Sequence, residues 1–179
     1  MKIVVLVKQV PHFSAIEFDQ ETKSLKREGV PLELNVFCRY AVQHGVALGG
    51  EVVAMTMGPP QAEEALRECL SLGADRAIHL SDRVFALADT VGTSRTLAMA
   101  IQKEGADLVV CGRKTLDSET WQVPPEVAAF LGWPHITNAA ALRIADGRLH
   151  LTRETDFRAE AYEASYPLVV SVGRPPDSP

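Results

Sequence analysis

The sequence is poor in the features that would announce a function at sight. Cysteine is scarce: Cys38, Cys69 and Cys111 are the only three in 179 residues, and none pairs at Cys-x-x-Cys spacing. That excludes a disulfide framework and a cysteine metal site. Basic charge is also short. Lys and Arg total 18 against 23 Asp and Glu, giving a net charge of −5. A nucleic-acid binder would carry a clustered basic surface instead. No apolar run approaches the ~18 residues of a membrane span. The five histidines (His12, His44, His79, His135, His150) share no ligand spacing, so nothing marks a metal centre. No Gly-x-Gly-x-x-Gly follows the first apolar run, and no Gly-Lys-Ser/Thr P-loop occurs. Any nucleotide must be held by other means. The opening Met1–Lys8 is basic then apolar, but too short for a signal peptide. Together these absences predict a reduced, soluble, cytoplasmic protein.

What is present is an alternation of short apolar runs and helical stripes. Ile3–Val7, Glu51–Met57, Arg76–Leu80 and Asp107–Cys111 are Val/Ile-rich and continuous, as strands buried on both faces of a parallel sheet read. Between them Phe37, Tyr40, Ala41, His44 and Leu48 follow helical spacing up to Gly49-Gly50. Ala62, Ala65, Leu66, Cys69 and Leu70 form a second stripe, ended by Gly73. Thr90–Lys103 and Pro124–Leu131 read as two further helices, the last opening on prolines and an acidic residue that suit a first turn. The pattern predicts one α/β domain over residues 1–172, a Rossmann-like, doubly wound, mostly parallel sheet. Two stretches depart from it. Residues 11–34, with Phe18-Asp19-Gln20 and Gly29-Val30-Pro31, read as a surface excursion. After residue 137, Ala141–Ile144, Leu149–Arg153 and Ala159–Glu163 read as antiparallel strands, the first two turning at Asp146-Gly147. Pro167–Val172 is a final buried strand, and the tail 173–179 is expected to be disordered.

Ligands of open parallel sheets bind beyond the carboxyl ends of the strands. Three loops qualify: Lys8, the Met57-Gly58-Pro59-Pro60 segment, and Gly112-Arg113-Lys114-Thr115-Leu116-Asp117-Ser118-Glu119-Thr120-Trp121-Gln122. The last precedes a helix start, where free N–H groups can hold a phosphate. Arg113 and Lys114 add charge, and Thr120 and Gln122 add neutral donors. A solvated loop with helix-capping side chains fits the same composition. Asp117 and Glu119 form an acid pair, or else cap the next helix or orient the two basic residues. Cys38, near Asn35 at a helix start, is either an activated thiol or an inert buried one. Cys69 and Cys111 read as core. Trp121 is open between a ligand contact and packing, whereas Trp133 in Leu131-Gly132-Trp133-Pro134 reads as helix-end packing. No catalytic constellation is evident.

Several segments, in order, resemble the β subunit of electron transfer flavoproteins and its relatives in electron-bifurcating and nitrogen-fixation complexes. They are Lys2–Pro11, Leu34-Asn35-Val36-Phe37-Cys38, Met57–Arg67, Leu72–Ala77, Asp107–Arg113 with Asp117, Thr120, Gln122 and Val123, then Phe130–Pro134, Leu151–Glu154 and Pro167–Val170. The resemblance implies a Rossmann-like fold related to adenine-nucleotide hydrolases, binding AMP or, in bifurcating relatives, a second FAD. The electron-carrying FAD would belong mainly to an α-like partner subunit. Carried over by position, the nucleotide site comprises Leu6, Asn35, Val36, Phe37, Cys38, Met57 and the whole loop from Gly112 to Val123. It also implies a closing hairpin at the subunit contact. The chain departs from the pattern at Val36, Glu119, Pro124 and Phe157-Arg158, and it ends soon after Val172, where family members continue into a partner-docking arm. A stand-alone adenine-nucleotide module, pairing with itself as a homodimer, is the other reading. A nucleotide-hydrolysing enzyme of the related fold is a third.

Overall fold

The computed structural model describes residues 1–12, 18–19, 24–25 and 30–174. In chain order the elements are β1 (Lys2–Leu6), β2 (Gln9–Pro11), β3 (Phe18–Asp19), β4 (Ser24–Leu25), β5 (Leu32–Leu34), α1 (Val36–Leu48), β6 (Glu51–Met57), α2 (Glu63–Ser71), β7 (Arg76–Leu80), α3 (Thr90–Glu104), β8 (Leu108–Gly112), α4 (Val123–Leu131), β9 (His135–Ala145), β10 (Arg148–Glu154), β11 (Ala159–Ala164) and β12 (Leu168–Val172). Eight strands form one sheet in the order β11-β10-β9-β12-β8-β1-β6-β7. The run from β9 to β7 is parallel, and β9, β10 and β11 pair antiparallel. The α/β, Rossmann-like expectation, with an antiparallel C-terminal addition, describes this sheet.

The continuous apolar runs are explained by helices on both faces. Successive side chains of a strand point to opposite faces. In β1, Ile3 and Val5 join the core under α1 and α2, whereas Val4 and Leu6 join the core under α3 and α4. In β8, Leu108 and Val110 take the first side, Val109 and Cys111 the second. Helix α1 presses on the sheet through small residues. Its buried positions are Cys38, Ala41, Val42, His44 and Gly45, with Phe37 and Tyr40 half-buried beside them. A Cβ on Gly45 would lie 2.9 Å from Val5 Cγ2, so glycine sets this close approach. The stripe read from the sequence was therefore rotated: its aromatic members flank the contact instead of filling it.

The other differences are local. Strand β9 begins six residues earlier than the expected Ala141–Ile144 strand. Its first part runs parallel to β12, and from Ala139 onward it pairs antiparallel with β10. The join is a register shift around Asn138, whose φ is +56°, a conformation asparagine tolerates better than most residues. The polar Thr137-Asn138 pair disguised one strand as a loop and a shorter strand. In the excursion, β2 pairs with β5 and β3 with β4; Gln20 and Gly29 lie outside the described residues. Of the expected tail, Gly173 is buried and its N–H donates to Ala139 O at 3.0 Å, while 175–179 are outside the described residues. Among the described residues no helix is long and apolar enough to cross a membrane.

His135, at the start of β9, buries Nε2 without a partner. Burial, aided by the charge of Arg153, brings its pKa down to about 4. An unfolded chain takes up this proton from about pH 6.5 downward, and the native chain resists until about 4. Stability is thus lost as pH falls through that window. Replacing His135 by Gln should make unfolding free energy, measured in urea at pH 7 and pH 4.5, less pH-dependent. An unchanged difference between the two pH values would contradict this assignment.

Candidate functional site

The carboxyl ends of β1, β6 and β8 open into a cleft of about 1010 Å³. Its base is apolar: Leu6 and Val7, Met57 and Gly58, Cys111 and Gly112. One wall is the loop after β8, contributing Arg113, Lys114, Thr115, Ser118, Thr120 and Trp121. The other is the segment between β7 and α3, where Phe85, Ala86, Leu87 and Ala88 are bracketed by Asp82 and Asp89. One wall carries hydroxyls and cations, and the other sets the apolar stretch Phe85–Ala88 between the charged Asp82, Arg83 and Asp89.

The long loop is held by one buried side chain. Asn35 is fully buried just before α1. Asparagine there usually caps its own helix, yet its side chain makes no cap bond. Instead Nδ2 donates to Lys114 O at 3.0 Å, and Oδ1 accepts from Leu116 N at 3.2 Å. Its backbone N–H donates to Lys8 O at 3.0 Å, and its carbonyl accepts from Cys38 N at 2.9 Å. The residue thus ties the exit of β1, the start of α1 and the loop together. Gly112 allows their approach: a Cβ there would stand 2.7 Å from Phe37 C and 2.9 Å from Cys38 N.

Charges on the loop are matched. Lys8 Nζ meets Asp117 Oδ2 at 2.6 Å, and Lys114 Nζ meets Glu119 Oε1 at 2.7 Å. Partial burial pushes Asp117 upward, but hydrogen bonds from Lys8 and Thr115 and the Lys8 charge outweigh it, so its carboxyl lies below its ordinary value. The two acids orient cations and do not form an acid pair. Arg113 lies over Phe37 at 4.7 Å and Trp121 at 5.3 Å, and Lys114 over the same rings at 5.7 and 5.6 Å. Arg113 Nη1 also donates to Asn138 Oδ1 at 3.1 Å, while its Nε is buried with no partner. Cys38 is buried, and burial raises its thiol pKa despite lowering contributions from Asn35 and Lys8. That rules against the activated thiol. Among the described residues no group of His, Cys, Asp and Glu could hold a metal ion.

The helix after the loop offers less to an anion than its position suggests. Pro124 and Pro125 lack N–H groups in the first turn of α4. Glu126 fills that turn, accepting from Thr90 Oγ1 at 3.1 Å and from Ser94 Oγ at 2.9 Å. This joins the starts of α3 and α4 below the cleft.

Of the residues expected in the site, Leu6, Cys38, Met57, Gly112, Arg113, Lys114, Thr115, Ser118, Thr120, Trp121, Gln122 and Val123 line the cleft. Asn35, Val36, Phe37, Leu116, Asp117 and Glu119 do not; Asn35, Asp117 and Glu119 support the loop from behind. The 81–90 wall lies outside the residues expected from the sequence. Its signal is the exit of β7 at Leu80-Ser81-Asp82, a fourth strand end on the same side of the sheet.

Comparison with known proteins places the chain in a family. Residues 22–175 match the model of the electron transfer flavoprotein domain. The electron transfer flavoprotein subunit beta of Thermoanaerobacterium thermosaccharolyticum is 40% identical over 96% of this chain and 67% of its own length. The caffeyl-CoA reductase-Etf complex subunit CarD of Acetobacterium woodii is 41% identical over 96% and 68%. Protein FixA of Azorhizobium caulinodans is 38% identical over 96% and 66%. The chain spans about two thirds of each relative.

Asn35→Ala would strand Lys114 O and Leu116 N. A loss of about 1–3 kcal/mol in unfolding free energy is expected, with faster amide exchange across residues 113–122. Unchanged stability together with unchanged exchange would refute the clamp.

Proposed function

The chain belongs to the electron transfer flavoprotein family as a β-subunit-like member, and from that premise we propose that its cleft binds an adenine nucleotide, AMP, and that it works beside an α-like subunit in flavin-based electron transfer. The observation that carries this reading is the two-sided cleft at the strand ends. Its roughly 1010 Å³ lies at the upper end of the ~300–1,000 Å³ usual for small-molecule sites. Thr115, Ser118, Thr120 and Gln122 supply neutral donors and acceptors suited to ribose and phosphate oxygens. Arg113 and Lys114 supply positive potential, and Arg113 keeps a buried Nε with no protein partner. The apolar base and the Phe85–Ala88 segment suit a planar base.

In this reading the chain's own residues bind and position; they transfer no proton and form no covalent bond. A bound flavin supplies the one- and two-electron chemistry, and the protein supplies binding, orientation and electrostatics around it. The paired Lys8–Asp117 and Lys114–Glu119 hold the loop in shape, so Asp117 and Glu119 serve as supports and not as general acids or bases. The partner is argued from the relatives, two named as β or complex subunits. We read its place of work as the cytoplasm.

The test has two parts. Mass spectrometry of small molecules released from the denatured, purified chain should detect AMP. Coexpression with an α-like electron transfer flavoprotein subunit should yield a yellow complex that co-purifies. AMP released from a self-paired chain that ignores the α subunit would favour the stand-alone module. Release of no nucleotide, with no complex formed, would overturn the proposal.

A further inference from the structure

We propose that Trp121 is the stacking platform for the planar ring of the nucleotide, and so a specificity-determining residue of this cleft; the inference rests on the nucleotide-binding reading. Two aromatic side chains line the cleft, Trp121 from the loop after β8 and Phe85 from the segment after β7. Trp121 is the larger and is 46% exposed, which is high for an indole on a wall that is otherwise small or polar. Its backbone is left-handed, with φ +61°. For a bulky residue that conformation is costly and persists only where the surroundings impose it. Here they do. Glu119 N donates to Thr115 O at 3.0 Å, Glu126 N donates to Gln122 O at 3.0 Å, and Asn35 fixes the loop at Lys114 and Leu116.

The indole is also oriented. Arg113 and Lys114 lie 5.3 and 5.6 Å from its ring centre. Cations hold the electron-rich π face of an aromatic ring. A ring held on one face in this way, on a cleft wall and half exposed, can receive a second flat ring on its opposite face, and Arg113 can meet the phosphate of the same ligand. Adenine and flavin rings share this stacking chemistry, and a sugar phosphate lacks it.

The chain has two tryptophans, so Trp133→Phe leaves Trp121 as the sole indole reporter in the full chain. Titration with AMP should quench its fluorescence, and ribose 5-phosphate should not. By calorimetry, Trp121→Ala should weaken AMP about tenfold, in keeping with aromatic–base stacking, and Trp121→Phe should recover most of the loss. Ribose 5-phosphate should bind Trp121→Ala and the parent alike. FAD and AMP losing affinity together would identify the adenine as the stacked ring; a loss confined to FAD would identify the flavin. An equal loss for AMP and ribose 5-phosphate would reduce Trp121 to a support for Arg113 and Lys114 and overturn the inference. Unchanged binding of both AMP and FAD in Trp121→Ala would overturn it too, while leaving the nucleotide-binding reading intact. Failure of the parent chain to bind AMP, FAD or ribose 5-phosphate would remove both.

Discussion

The carboxamide of Asn35 is the interaction on which the cleft depends. It is fully buried, and a buried amide must have its donors and acceptors matched. Only a group with both an N–H and a C=O at this reach can bond Lys114 O and Leu116 N at once. An aspartate would lack the donor, and a leucine would leave both backbone groups unpaired. The same residue closes the backbone between Lys8 and Cys38. Gly112 complements it by leaving no Cβ between β8 and the start of α1. Loop, helix and first strand are therefore one assembly at the end of the sheet.

That assembly explains how so polar a loop is held in shape by the chain's own groups. Its acids are paired with nearby cations: Asp117 with Lys8 at the exit of β1, and Glu119 with Lys114 within the loop. Exposed pairs of this kind add only about 0–1 kcal/mol each, so they shape the loop more than they stabilise the fold. Stability comes from the two apolar layers, where β1 and β8 alternate between the α1/α2 and α3/α4 cores. At α4 two prolines replace N–H groups and Glu126 satisfies hydroxyls from α3. A phosphate at this cleft would thus rely on side chains more than on a helix start.

Much of this was legible in the residues. Glu51–Met57 and Arg76–Leu80 are strands with the expected bounds; the first is covered on both faces, whereas the second is the exposed edge strand. Gly105 and Gly132 end α3 and α4 in left-handed caps, as glycine after a helix indicates. Three strand-end segments, at Lys8, Met57–Pro60 and Gly112–Gln122, are legible in the sequence and contribute to the cleft. What failed was legibility of tertiary contact. Nothing local reveals that Asn35 reaches residues 79 and 81 positions away, or that Gly45 rather than Phe37 marks the helix face against the sheet. Asn138 hid the continuity of β9, since a polar residue in a left-handed bulge reads as a break.

The central claim is that the strand-end cleft is the place where a nucleotide meets this chain. Mapping amide chemical shifts during titration with AMP tests it most directly. The account predicts perturbations confined to residues 6–8, 35–38, 57–60, 81–93 and 111–124. Shifts centred on the β9–β11 edge or the amino ends of the strands, or none at saturating AMP, would contradict it.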